Sequence, residues 1–366
     1  AIPSAETLRQ RFDMIGDSLR GDILQANIDM LREMKIEPAA LENGYVPVDI
    51  DVTPFDNSKT KKEGVSRTYK GFDGYAPIMA YIGTEGYFVN TQLRVGKQHC
   101  QKETPDFLRE TIELCRQLTD KPLLIRLDSG NDASENIGIF MEESYRYNNV
   151  SFIIKRNPRQ ESKEEWLASV KDCCTNIQKP RDGKTVYIGQ TFRDVTYTLP
   201  NKTEKTAGIR TIYEITERTI DKHGQYFIVP DIELDTYWTN LPLSDQNIID
   251  LYHAHGESEQ YHSEIKTDMD VERLPSGKFD SNKLVLELTI IAYNILRIVG
   301  QESLKKRDDP GRKKVRRRRI RTIISNLMQF AGHLTEHAGR LVLSIGRSNR
   351  WRFTFKRIYD SFASVS

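Results

Sequence analysis

Leu123-Leu124-Ile125-Arg126-Leu127-Asp128-Ser129-Gly130 is an apolar run that stops abruptly at an acid, a hydroxyl and a glycine. A run of this kind reads as a buried strand whose C-terminal end delivers Asp128 to a surface crevice. Working outward, Thr104 as N-cap and Pro105 at N1 open a helix before it, with Leu108, Ile112, Cys115 and Leu118 on one face. After it, 133–145 reads as a helix and 150–155 as a second buried strand. Further upstream, 45–53 alternates with period two, placing Asp49, Asp51 and Thr53 on one face and Val48, Ile50 and Val52 on the other. Two carboxylates on one strand face repel each other unless a cation or a donor lies between them. Segments 74–82 and 86–94, joined by Gly83-Thr84-Glu85, complete a β-β-β-α-β-α-β order through residue 156. That order predicts an α/β fold, a mixed sheet flanked by helices, with acids on its first and fourth strands.

The character changes over 157–240, where short β-branched or aromatic segments separated by turn residues predict a β-rich insertion. It closes with Thr236-Tyr237-Trp238-Thr239-Asn240, and Ser244 then caps a helix. If that helix runs on through residue 266, then Tyr252, His255, Glu259, His262 and Lys266 share a stripe about 80° wide at about 100° per residue. The mixture suits the wall of a site with Glu259 at its centre; a charged solvent face is the bland alternative. Beyond it lies a helix from Ser281, apolar nearly all round, then a basic run and an amphipathic helix over 315–334 carrying Ile320, Ile323, Ile324, Leu327 and Phe330. The expected divisions are an N-terminal helical segment, 1–43, a core in two parts, 44–156 and 241–300, split by the insertion 157–240, and a basic, helical C-terminal region, 301–366. Because the chain begins at Ala1, its N-terminal segment is expected to be incomplete.

Net charge is only +2 over 366 residues, so the average says nothing about partners. Between Lys305 and Arg321, however, eleven basic residues face Asp308 and Asp309, a local excess that a polyanion would feel. The 4 cysteines, Cys100, Cys115, Cys173 and Cys174, show no paired metal or disulfide framework. No signal peptide is visible, and the apolar run 284–299 is interrupted by Glu287, Asn294 and Arg297, so a soluble, cytoplasmic protein is expected.

Asp51, Asp128 and Glu259 lie too far apart in sequence for proximity to explain a shared role. Two strand-borne acids and one helix-borne acid around a single crevice suit two-metal phosphodiester chemistry, because Mg²⁺ takes hard oxygen ligands. The combination resembles the insertion-sequence DDE transposases, which have an RNase H-like core, and within them the group whose third acid lies in a Y-x2-R-x3-E-x6-K pattern behind a β-rich insertion. Tyr252, Glu259 and Lys266 match that spacing, and His255 stands where arginine is usual. The D-x-T at Asp51, the Asp-Ser-Gly at Asp128 and the Tyr-Trp-Thr-Asn strand also match, and the resemblance covers roughly residues 44–300.

The resemblance implies metal-dependent cut-and-paste transposition: cleavage of double-stranded DNA at terminal inverted repeats, then attack of the freed 3′-OH on target DNA. Asp51, Asp128 and Glu259 would be the catalytic metal ligands, with Mg²⁺ as the ion and Mn²⁺ able to replace it. Tyr252, His255 and Lys266 would contact phosphates, and a homodimer on paired ends in a bacterial nucleoid is the expected assembly. Other readings stay open at this point. Asp49 shares a face with Asp51 and is the alternative first acid. Trp238 either stacks on an unpaired base, a contact of roughly 1–3 kcal/mol, or is a buried strand residue. His255-x3-Glu259-x2-His262 has the flavour of a zinc site without its usual order. The basic run, with Arg316, Arg317, Arg318 and Arg319, is either a phosphate contact or a solvated linker. An RNase H-like nuclease or resolvase that cuts without joining, or a domesticated DNA-binding protein, are the rival functions.

Overall fold

The computed structural model describes residues 3–199, 202–306, 308–311 and 315–363. The chain forms two compact units, and it crosses between them several times. One, the insertion-bearing unit, comprises Ala40–Val52 and Gln98–Ser258; the other, the terminal unit, comprises Ala1–Ala39, Thr53–Lys97 and Glu259–Ser366.

In the insertion-bearing unit seven strands, β1 (Val46–Val52), β2 (Leu123–Leu127), β3 (Val150–Arg156), β4 (Asn176–Arg181), β5 (Lys184–Thr198), β6 (Glu204–Ile220) and β7 (Tyr226–Thr239), run in the order β1-β2-β3-β7-β6-β5-β4. The first three are parallel, and the rest join antiparallel. The result is the expected α/β fold, an RNase H-like mixed sheet flanked by helices. All five residues of β2 are buried, as a parallel strand covered on both faces requires. The insertion is no separate lobe. The last four residues of β7, Thr236 to Thr239, pair with β3, so the long hairpins continue the core sheet outward. Tyr237 of β7 packs with Leu124, Ile153, Val186, Ile188, Ile212 and Ile248 in one core. The insertion also holds a helix absent from the sequence reading, Lys163–Lys171, whose N-cap Ser162 accepts the Glu165 N–H. Its Leu167 and Val170 pack on Tyr187, Tyr213, Ile215 and Leu234.

The terminal unit is built around the helix Phe279–Leu304 and the hairpin Ile78–Ile82/Tyr87–Gln92. By length and apolar composition this helix would suffice to cross a membrane. Its buried polar residues show why it is a core helix instead. Asn294 receives the Phe88 N–H at 2.8 Å and donates to Phe88 O at 2.7 Å and to Asn27 Oδ1 at 2.8 Å, tying hairpin and N-terminal helix to it.

Two helical expectations need correction. The segment from Ser244 onward is not one helix: it is α-helical over Asp245–His253, 3-10 over Ala254–Glu257, α-helical over Ser258–Ser263 and π over Glu264–Asp268. A single 3.6-residue period does not run through it, so the angles read from an ideal helix do not apply. In the C-terminal region the expected helix over 315–334 shrinks to Ile320–Ile323 with a π turn at Ile324–Met328, followed by a hairpin, Gly332–His337/Arg340–Ile345, and a helix, Arg352–Ala363. Its apolar stripe is satisfied by burying Ile320, Ile323 and Leu327 within two turns.

Candidate active site

The parallel register pairs Asp49 with Arg126 and Ile50 with Leu127, so one residue further on each strand delivers its acid, Asp51 from β1 and Asp128 from β2. Where β2 ends, Asp128 heads a short 3-10 turn, Ser129–Asn131. Asn131, itself fully buried, donates from Nδ2 to Asp128 Oδ1 at 2.8 Å, and Asn136 holds the same turn by donating to Asn131 O at 2.8 Å. Gly130 leaves little room for a side chain, since a Cβ there would stand 3.3 Å from Asp128 Oδ1. Asp51 Oδ1 accepts the Val52 N–H at 2.7 Å. Burial, and then the negative charge of Asp51, push the Asp128 carboxyl above the usual carboxylate range. Two hard oxygen donors, one of them made costly to ionise by burial and by the other's charge, fit a divalent cation, which would relieve that cost. Among the described residues no group of three or more His, Cys, Asp or Glu side chains is placed to hold a metal; Asp51 and Asp128 stand as a pair.

Tyr252 belongs to this neighbourhood. Its hydroxyl is pushed upward by burial and by the charges of Asp128 and Asp51, and its ring lies 4.8 Å from that of Tyr237. His255 adjoins it, its ring 5.9 Å from that of Tyr252, but its hydrogen bond goes to a different acid. Only 8% exposed, it places Nδ1 2.9 Å from Asp49 Oδ1, so this ring is a partner of a buried carboxylate and not the open phosphate contact expected of it. Arg126 completes the group, donating from Nε and Nη2 to the two Asp49 oxygens at 2.6 and 2.8 Å and from Nη1 to Leu251 O at 2.8 Å. Burial works to raise the Asp49 carboxyl, but Arg126 and then His255 outweigh it and hold the group down at about 2. Asp49 is thus consumed by an internal ion pair beneath the acid pair, which leaves Asp51 as the acid at the strand end. Arg126 had no role assigned from sequence, though a signal was present: Asp49 and Arg126 are separated by the same 77 residues as Asp51 and Asp128, as one parallel register demands.

Trp238, 7% exposed, takes the buried-strand alternative: its Nε1–H donates to Asp132 Oδ1 at 2.8 Å, and the Arg156 guanidinium lies 5.3 Å over its ring. The ring contributes to the wall of a 730 Å³ cavity shared with Asp132, Ser134, Arg156, Arg159 and Gln160.

Glu259 and Lys266 belong to the terminal unit. Glu259 is exposed, on a short helix whose next residues are firmly tied down. Tyr261 donates to Thr84 O at 3.3 Å and packs 5.0 Å from the Tyr81 ring, and His262 meets Tyr81 edge-on at 5.5 Å. His255 and His262 therefore have different neighbours, and the zinc reading finds no geometry to rest on. Gly86 admits the Tyr261 ring: its φ is +71°, and a Cβ there would stand 2.4 Å from Tyr261 Cζ. Gly86→Ala is expected to destabilise the protein by about 1–3 kcal/mol, read as a lower midpoint in urea unfolding, because it adds both strain and overlap. Lys266 donates to Pro54 O at 2.7 Å and pairs with Glu272 at 3.1 Å, so its ammonium is engaged within the unit. Three arginines of the run have carboxylate partners within the unit, although Arg319 stays exposed. Arg317 pairs with Glu264 at 2.8 Å, Arg318 with Asp309, and Arg319 with Asp268 at 2.8 Å, while Arg316 is exposed. Arg307 and residues 312–314 of the basic run lie outside the described residues. The acids Glu264 and Asp268, which receive these arginines, went unremarked in the sequence; an acid five residues after Glu259 and another four further on were the available signal.

Two acids at adjacent parallel strand ends of such a sheet supply the hard oxygen donors that a divalent cation takes. The chain matches the transposase DDE domain family, group 1, over residues 21–366, and it belongs to that family. No curated protein matches its sequence. Among solved structures it is similar to the piggyBac transposase in a synaptic complex with hairpin DNA, at 10% identity and a TM-score of 0.35, covering 69% of this chain and 46% of that one. It is also similar to the Argonaute of Aquifex aeolicus, at 10% identity and a TM-score of 0.24, covering 56% of this chain and 23% of that one. This chain thus spans just under half of the piggyBac chain. Likenesses this distant carry no argument about the site. DDE transposases use divalent metal ions, and the acid pair has the donor chemistry for one.

Proposed function

We propose that this transposase cuts double-stranded DNA at the terminal inverted repeats of its element and joins the freed 3′-OH to target DNA, with Mg²⁺ as its ion and Mn²⁺ as a substitute. The observation that carries the reading is the pair Asp51 and Asp128 at neighbouring strand ends, with Asp128 pushed upward by burial and by its neighbour's charge. Asp51, Asp128 and, from the terminal unit, Glu259 are the proposed ligands. The bound ion would supply charge stabilisation for the attacking and leaving oxygens of an in-line displacement. The chain's own contribution is placement: the Asp49–Arg126 pair fixes the register that delivers both strand acids, and Asn131 orients Asp128. Tyr252 is proposed to hydrogen-bond a phosphate oxygen beside the acids, from a hydroxyl that burial and the two acids keep protonated. Exposed Arg316 is the member of the arginine run proposed to meet DNA backbone. A homodimer on paired DNA ends, a cytoplasmic, nucleoid-associated setting, and the division into a split core, an insertion and a basic C-terminal region belong to the same proposal.

The test incubates the protein with duplexes carrying the terminal repeats of its element, Mg²⁺ or Mn²⁺ and a target plasmid. Joined products are the expected outcome. Cleavage without joining would favour a nuclease or resolvase, and binding without cleavage a domesticated DNA-binding protein.

A further inference from the structure

The arginine run and the turn that follows Glu259 form one interlocked structure. Glu264, 1% exposed, accepts from four sources: Tyr293 Oη at 3.1 Å, the Arg297 guanidinium, Arg317 Nη1 at 2.8 Å and the Ile320 N–H at 3.3 Å. Arg297 also donates to Arg318 O at 2.7 Å, so the long helix grips the run through its backbone as well. Four residues on, Asp268 accepts Arg319 Nε at 2.8 Å and Nη2 at 3.0 Å and the Arg321 N–H at 3.1 Å. Burial works against the Asp268 charge, and these donors outweigh it, holding the carboxyl below the usual range. The remaining arms of the same arginines reach the turn itself. Arg317 Nη2 donates to Gln260 at 3.0 Å and its guanidinium lies 4.5 Å over the Tyr261 ring; Arg319 Nη2 donates to Ser263 Oγ at 3.1 Å.

From these contacts we infer that Arg317 and Arg319 are positioning residues: the run straps down the segment 260–268 and thereby fixes Glu259, which projects from its exposed side. The inference rests on the reading of Glu259 as the third acid. Several features favour a strap over a DNA-contacting tail. A phosphate contact needs guanidinium N–H groups free to donate, whereas Arg317 and Arg319, the latter still exposed, each direct their forks to a carboxylate and a second acceptor inside the unit. The second half of the segment they hold, Glu264–Asp268, is a π turn, closed by the Met269 N–H on Glu264 O at 3.0 Å. Such a turn is an irregular stretch of helix that keeps its shape when its surroundings define it. The Gly83–Gly86 corner independently anchors Tyr261. The strap supplies a second set of anchors for the same turn.

Two double variants separate the roles: Arg317→Gln with Arg319→Gln, which removes charge and fork, and Arg317→Lys with Arg319→Lys, which keeps the charge and loses the fork. Each is measured in the full chain by backbone amide exchange, by metal-free binding to the terminal-repeat duplex across salt concentration, and by the Mn²⁺ dependence of cleavage. A strap predicts that both variants exchange amides 259–268 about tenfold faster while the Phe279–Leu304 helix keeps its protection. It predicts a several-fold rise in the Mn²⁺ concentration for half-maximal cleavage, and DNA affinity and salt slope unchanged. A DNA-contacting tail predicts unchanged exchange, a lysine variant like wild type, and a glutamine variant whose log–log salt slope falls by about 1.8, from roughly 0.9 per phosphate contact. Unchanged exchange in both variants overturns the inference. Absence of cleavage by the wild-type chain would count against the proposed function, and the exchange and salt measurements would still decide whether the strap exists.

Discussion

Asp128→Asn is expected to lower cleavage by roughly 10³-fold or more, the equivalent of several kcal/mol of lost transition-state stabilisation. The same change is expected to raise the melting temperature in metal-free buffer. Both effects have one origin. Burial and the neighbouring Asp51 make the ionised Asp128 costly in the folded chain, and so push its carboxyl upward. A carboxyl raised on folding costs stability at neutral pH, and that cost is relieved either by protonation as the pH falls or by a bound cation. The amide has no charge to hold, so it removes the cost together with the metal donor. A gain of a few degrees is the expected scale, since each kcal/mol moves a unit of 150–250 residues by about 2–4 °C. Scanning calorimetry and cleavage assays on one preparation check both halves. A variant that loses activity and also melts lower would locate the effect in folding instead.

The second large effect is expected at Arg126. Arg126→Met would leave Asp49 buried with His255 as its one remaining charged partner, and removing one member of a buried pair costs about 3–5 kcal/mol. The pH dependence should change with it. In the wild-type chain Asp49 is depressed from 3.8 to about 2, so it contributes stability that is present above about pH 4 and lost as the pH falls toward 2. Without Arg126, burial prevails and the carboxyl moves upward, so the variant should be penalised most at neutral pH and least in acid. Urea unfolding at pH 7 and pH 4 measures the difference. If the loss in Arg126→Met is under 1 kcal/mol at both, the pair is not what holds β1 and β2 in register. Asp49→Asn combined with Arg126→Met is expected to be milder than Arg126→Met alone, because no unpaired charge is left behind.

The strand-borne acids were legible because parallel sheets write themselves into sequence: a fully apolar run for β2, a period-two run for β1, and an acid where each ends. The insertion was legible as β-rich, but not as an extension of the core sheet, because strand pairing between Thr236 and Arg156 depends on contacts that no local pattern encodes. The break in the single regular helix expected through Tyr252, His255 and Glu259 was not legible for a different reason. That expectation assumed one helical period, and the chain changes from α to 3-10 to α to π across those residues, where tertiary partners such as Asp49 for His255 and Thr84 for Tyr261 override the regular helix. The basic run misled in a third way. Its charge was plain, but its partners Glu264 and Asp268 lie more than fifty residues earlier, and a count of charges cannot tell an arginine free to meet a phosphate from one paired with a carboxylate.

The central claim is that Asp51 and Asp128 together hold a divalent cation. Calorimetric titration of Mn²⁺ into the wild-type chain, Asp51→Asn and Asp128→Asn tests it without DNA and without turnover. The account predicts saturable binding by the wild-type chain that either substitution weakens at least tenfold; equal binding by all three would contradict it.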